Sequence, residues 1–133
     1  MQTKIIKDKI KKVLENYPIV FAYLFGSSAR GKTGALSDVD IAVYFENQIS
    51  EKDRFNLKLD LIDKFQKVFQ KNIDIVILQE APLLLLNRVI KEGIKVYSKN
   101  EGKRTSFETL SSMKFLDWKW HLDKYTKATF ESI

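Results

Sequence analysis

The chain has 133 residues, 44% hydrophobic and 30% charged, which bounds it to one globular domain able to bury a core without staples. It contains no cysteine and a single histidine, His121, so a disulfide framework, a thiolate metal site and a histidine-rich zinc cluster are excluded, and any metal must be held mainly by oxygen. Lys and Arg outnumber Asp and Glu by 23 to 17, a formal charge of +6 that suits either an anionic partner or a well-solvated surface.

The N-terminal residues lack a long apolar segment followed by a small-residue cleavage site. The longest apolar runs, Ile19 to Phe25 and Ala81 to Leu86, fall far short of the roughly 20 residues that span a bilayer, so a cytoplasmic location without membrane contact is expected. Along the chain, Ile5, Ile6, Ile10, Val13 and Leu14 recur at helical spacing among lysines, predicting an amphipathic helix over residues 2–16 that ends before Pro18. Ile19 to Phe25 reads as a buried strand stopped by Gly26. Asp38 to Phe45 reads as a second strand, with Val39, Ile41 and Val43 on one face and Asp38, Asp40 and Ala42 on the other. Phe55, Leu59, Ile62, Phe65 and Phe69 mark the apolar face of a second helix over residues 51–70. Ile73 to Leu78 is a third strand, read as fully buried. Pro82 opens a third helix that runs to Glu92, Gly93 stops it, and Ile94 to Tyr97 is a fourth strand. Phe115, Trp118, Leu122 and Tyr125 predict one long helix over about residues 104–130, with further aromatics, Trp120 and Phe130, on another flank. Such a helix either packs deeply or presents a docking surface.

Chemistry concentrates where the first strand ends and the second begins. Gly26 lets the backbone approach an oxyanion, Ser27 offers a hydroxyl and an amide, and a helix starting there would aim its N-terminal amides at the anion. Asp38 and Asp40, two apart on a strand, project from one face as hard oxygen ligands suited to magnesium. Asp74 interrupts a β-branched run and would carry a desolvation cost unless a metal or donor compensated it. If its strand pairs beside the second, three carboxylates converge in a pattern that fits two-metal phosphoryl chemistry. Taken alone, Asp38 reads first as a turn or strand-entry residue. A Gly-Ser pair followed at this interval by Asp-x-Asp, however, arises by chance in roughly one chain in a thousand. Arg30 would either contact triphosphate oxygens or flank a short helix, and Gly31 and Gly34 are assigned to the loop turn. His121 is read as an interface or surface residue, and Trp118 and Trp120 as packing or partner contacts rather than a stack for a nucleobase.

Gly26-Ser27-x10-Asp38-x-Asp40 resembles the nucleotidyltransferase signature of the DNA polymerase beta superfamily. Gly-Ser-Ser-Ala-Arg-Gly (26–31) and Ser-Asp-Val-Asp-Ile-Ala-Val (37–43) look like its minimal nucleotidyltransferase (MNT) branch, and Ile73 to Leu78, Pro82, Gly93 and Val96-Tyr97 follow that branch's later pattern. Phe115 to Tyr125 is similar to the C-terminal helix of MNT antitoxins paired with HEPN ribonuclease toxins, with Trp120 standing where proline is common. The resemblance implies an α/β (α+β) fold, a mixed four-stranded β-sheet flanked by helices. A nucleotidyltransferase core over residues 1–100 would continue into a C-terminal helical extension over residues 101–133, part of the same domain and able to dock a partner. It further implies Gly26 and Ser27 as triphosphate holders, with Arg30 in the same stretch. Asp38 and Asp40 would be ligands of two magnesium ions, and Asp74 a ligand of the ion that activates the acceptor hydroxyl. The implied reaction is transfer of AMP from ATP to a tyrosine hydroxyl of a HEPN toxin. Two alternatives share the fold: an antitoxin that only occludes its toxin, and an enzyme acting on a small hydroxylated compound, for which 133 residues leave little room. A nucleic-acid-binding module is suggested by charge alone, and no recognition motif supports it.

Overall fold

The computed structural model describes residues 3–26 and 38–131. Its elements follow the expected order: α1 (Thr3–Leu14), β1 (Ile19–Phe25), β2 (Val39–Phe45), α2 (Glu51–Phe69), β3 (Ile73–Ile77), a 3-10 turn (Leu78–Glu80), α3 (Leu83–Glu92), β4 (Ile94–Ser98) and α4 (Glu101–Glu131). The strands form one mixed sheet in the order β3-β2-β1-β4, in which β1 runs antiparallel to β2 and β4 while β3 runs parallel to β2.

Both faces of the sheet are covered. Ile6, Ile10 and Leu14 of α1 and Leu61 and Phe65 of α2 pack on Ile19, Leu24, Val39, Ile41 and Val43. On the other face, Leu85, Leu86 and Val89 of α3 and Phe107 of α4 cover Phe21, Tyr23, Ala42 and Val76. β1 lies between these layers with every residue buried, as its unbroken apolar run requires. Its alternation slips once, at a register shift between Ile19 and Phe21 that turns both Val20 and Phe21 toward α3 and α4. There Phe21 stacks on Tyr44 at 4.7 Å, and Phe107 closes the cluster.

Several expectations are corrected. In α2 the buried residues are Leu61 and Phe65, with Leu57, Ile62 and Phe69 packed around them, whereas Phe55 and Leu59 are 56% and 50% exposed. The sheet meets the row through residues 57, 61 and 65 with Ile62 and Phe69 beside it, which turns Phe55 and Leu59 outward, and helical spacing alone admits either rotation. In α1, Ile5 is exposed and the buried stripe is Ile6, Ile10 and Leu14. β3 is an edge strand rather than a fully buried one, and Asp74 is exposed on it, so no desolvation cost demands a compensating group. Gly93 ends α3 as expected, but with an ordinary φ of −76°: a Cβ there would collide with the carbonyl of Val89, so close approach rather than left-handed backbone calls for glycine.

α4 divides into two halves. Its first turns are tied to the sheet by polar contacts: the Tyr23 hydroxyl donates to Glu108 at 2.6 Å and Lys95 reaches Glu101 at 3.0 Å, while Arg104 braces both carboxylates from within the helix. Beyond the buried Ser111, Met113, Leu116, Trp118, Trp120, Leu122 and Tyr125 are exposed. Of the two readings of this helix, packing holds for the base, and the rest carries apolar side chains that stand exposed. No helix among the described residues is long and apolar enough to cross a membrane.

Candidate active site

β1 leaves the sheet through Gly26, whose φ of +74° lies in the left-handed region that side chains disfavour. The last residue of β1, Phe25, is the antiparallel partner of Asp40, so the turn at Gly26 passes against the Asp40 side chain. A Cβ on Gly26 would fall onto Oδ2 of Asp40 and stand 3.2 Å from its Cγ. Glycine is therefore required twice here, for backbone angle and for space.

Asp40 and Asp74 are direct partners in the parallel β2–β3 register, about 4.8 Å apart across the ladder. Both share the sheet face of Ala42 and Val76, which lies under α3. Asp38 precedes β2 and acts on the same place. Partial burial pushes the Asp40 carboxyl above the usual carboxylate range, the Asp74 and Asp38 carboxylates push it further, and the Arg88 guanidinium of α3 draws it part of the way back. The three predicted carboxylates are thus brought to one end of one sheet face. Ser27 and Arg30, and with them Gly31 and Gly34, lie outside the described residues.

Among the described residues, no group of three acidic or histidine side chains forms a ready-made metal cage. The donor chemistry nonetheless fits magnesium: Asp38, Asp40 and Asp74 offer only hard carboxylate oxygens. The like charge of Asp38 and Asp74 at Asp40 is what a cation would relieve, and the missing Cβ of Gly26 leaves room for one oxygen of Asp40.

The remaining candidates lie elsewhere. His121 pairs with Asp117 at 3.5 Å on the exposed half of α4, Trp118 tilts against Phe115, and Trp120 packs edge-on to His121 beneath Lys124. Sequence reasoning missed Arg88. Its spacing to Glu92 marks an ordinary i,i+4 surface pair, and nothing local signals that α3 carries it toward Asp40.

Residues 8–102 match the family described as polymerase beta, nucleotidyltransferase. The chain is 33% identical over 91 residues to a Methanocaldococcus jannaschii protein named as a candidate protein adenylyltransferase, covering 68% of this chain and 94% of that one. It is 26% identical over 129 residues to the protein adenylyltransferase MntA of Shewanella oneidensis, covering 96% and 86%. Its fold matches a crystal structure of a toxin–antitoxin with AMP-PNP at a TM-score of 0.68, with 23% identity and 95% and 96% of the two chains covered. It also matches a chain from the tri-AMPylated Shewanella oneidensis HEPN toxin in complex with MNT antitoxin, at a TM-score of 0.65, with 21% identity and 98% of each chain covered. With the glycine turn and the convergent carboxylates in place, the match over most of its length establishes that this chain belongs to the polymerase beta nucleotidyltransferase family.

Proposed function

We propose that this chain is an antitoxin that transfers AMP from ATP to a tyrosine hydroxyl of a partner HEPN ribonuclease and thereby silences it. The observation that carries the reading is the convergence of Asp38, Asp40 and Asp74 beside a glycine turn stripped of its side chain. It is supported by the names of the relatives: MntA is a protein adenylyltransferase, and an MNT antitoxin is found in complex with an AMPylated HEPN toxin.

In this reading the tyrosine oxygen forms a bond to the α-phosphorus, the bond from that phosphorus to the bridging oxygen of pyrophosphate breaks, and the hydroxyl proton leaves the tyrosine. Gly26, Ser27 and Arg30 hold the triphosphate. Asp38 and Asp40 would hold two magnesium ions and Asp74 one of them, and the ions would supply positive charge at phosphorus and ease loss of the hydroxyl proton. Asp74 stands exposed on the edge strand, which supports a role for it beside an incoming protein hydroxyl, helping to take its proton. Asp40 sits deeper, on the central side of the pair. The protein contributes position and charge rather than covalent chemistry. Residues 101–133 supply the docking element: the exposed apolar half of α4 offers a protein-sized contact surface that this chain leaves uncovered. The +6 charge then serves polyphosphate or an acidic partner surface.

The test is to incubate the protein with radiolabelled ATP, magnesium and the partner ribonuclease, and to repeat it with Asp38→Asn and Asp40→Asn. Label on the partner that both variants abolish supports transfer. Absence of label, with the ribonuclease still suppressed by both variants, would overturn transfer in favour of occlusion.

A further inference from the structure

β3 pairs with β2 in unbroken parallel register over all five of its residues, and among the described residues no strand pairs on its outer side. One bond fixes the direction of its backbone groups. The amide of Val39 donates to the carbonyl of Asn72 at 2.9 Å, and in a parallel ladder this turns the backbone groups of Asn72, Asp74 and Val76 toward β2. The amides and carbonyls of Ile73, Ile75 and Ile77 therefore point away from the sheet. Natural sheets guard such an edge with lysine, proline or a bulge. The opposite edge strand, β4, is guarded in this way: Lys95 lies within it, its register against β1 shifts once, and Lys7 and Lys11 of α1 line the cleft beside it. β3, Ile-Asp-Ile-Val-Ile, has no lysine, proline or bulge, and its one charge is the exposed Asp74. That charge discriminates between occupants. A second copy of this chain pairing edge to edge would bring two Asp74 carboxylates near one another, a repulsion that a neutral hydroxyl-bearing segment does not meet. A strand added to β3 lies about 4.8 Å away, as β2 does on the other side, and the residue that it pairs with Asp74 projects from the same sheet face.

We propose that the acceptor segment of the partner protein binds in extended form along the outer edge of β3, bonding its backbone to Ile73, Ile75 and Ile77 and presenting its hydroxyl side chain on the face of Asp74. The inference rests on the protein-acceptor reading of the carboxylate site and adds to it the mode of docking. Backbone pairing selects an extended chain with little regard to its side chains, and its register along the edge sets which hydroxyl meets the carboxylates.

The experiment reads amide hydrogen exchange residue by residue, by NMR, for the chain alone and for its complex with the partner ribonuclease. Magnesium and α,β-methylene-ATP are present, because this analogue cannot release pyrophosphate and leaves the acceptor unmodified. Exchange of the Ile73, Ile75 and Ile77 amides should slow by about tenfold or more in the complex, while the Asp74 and Val76 amides, already turned to β2, change less. Such alternation marks strand addition, and neither side-chain docking nor general stabilisation produces it. Ile73→Pro removes one outward amide at the first residue of an edge strand, where proline is tolerated. Compared with Ile73→Ala, it should raise the KM for the ribonuclease by about fivefold and leave the KM for magnesium–ATP unchanged. If the native chain transfers label from ATP to the ribonuclease while the three amides exchange equally in the free and bound chain, strand addition fails alone. Slow exchange of the same amides in the free chain that quickens on dilution would give the edge to a second copy and also overturn the proposal. If the native chain transfers no label, the protein-acceptor reading fails and the inference with it.

Discussion

Gly26 and Asp40 act as one unit, because the glycine is where it is to make room for the carboxylate. Gly26→Ala forces a Cβ onto Asp40 and a left-handed φ onto alanine, which costs about 1–2 kcal/mol for the backbone alone. Denaturant unfolding should show that loss, and the variant should lose transfer because the Asp40 carboxylate is displaced. Asp40→Asn behaves in the opposite way. Asp40 is partly buried and stands among like charges, and its pKa is raised, so in the absence of metal its ionised form opposes folding above the ordinary carboxylate range. Removing that charge should abolish transfer while the melting temperature at neutral pH stays level or rises, read by differential scanning calorimetry. A fall in melting temperature would contradict the repulsion. The two aspartates of the Asp-x-Asp motif were legible in the sequence because strand alternation is local. The pairing of Asp40 with Asp74 depends on a parallel register between strands separated by the whole of α2, which no window of sequence contains.

Helices show the same division between local and non-local information. Periodicity located α2, and Ser50 caps it by accepting a bond from the amide of Asp53 at 3.2 Å, but apolar residues line more than one row and only packing chooses between them. Phe65→Ala should therefore cost about 3–5 kcal/mol in urea unfolding, whereas Phe55→Ala should change stability by less than about 0.5 kcal/mol. Tyr23 and Tyr17 supply a pH test of the packing between elements. Tyr23 donates to Glu108 of α4 and Tyr17 to Asp60 of α2, and burial followed by these carboxylates raises both hydroxyls above the ordinary value of 10.0. In the unfolded chain they ionise near that value, so the stabilisation is complete below it and is lost as pH rises through and beyond it. Tyr23→Phe should cost about 1 kcal/mol at pH 7 and flatten the decline between pH 9 and 11, measured by denaturant titration at each pH.

At the scale of the whole molecule, the sheet and the base of α4 make a closed unit, and the rest of α4 does not. A helix of 31 residues extends about 46 Å, longer than the layer it packs against needs. Its exposed apolar side chains, Leu116, Trp120 and Leu122 among them, lie on more than one face of the helix, groups that a monomer gains nothing by presenting to water. Trp120→Ala combined with Leu122→Ala should weaken association with the partner ribonuclease by at least tenfold in a calorimetric titration while leaving the melting temperature within about 2 °C, since neither residue belongs to the core. Unchanged affinity would remove α4 from the interface.

The sequence by itself determined the order of helices and strands, the family motif and the residue types of the site, because each is written in spacings of two to about a dozen residues. Cysteine absence already excluded thiolate metals. Only the tertiary structure decided which row of α2 is buried, that β3 forms the edge and leaves Asp74 open, and that Asp40 stands against the Gly26 turn. These outcomes depend on how separate elements meet across the sheet, and the free energy that selects among them comes from burial of surfaces distant in the chain rather than from any local pattern.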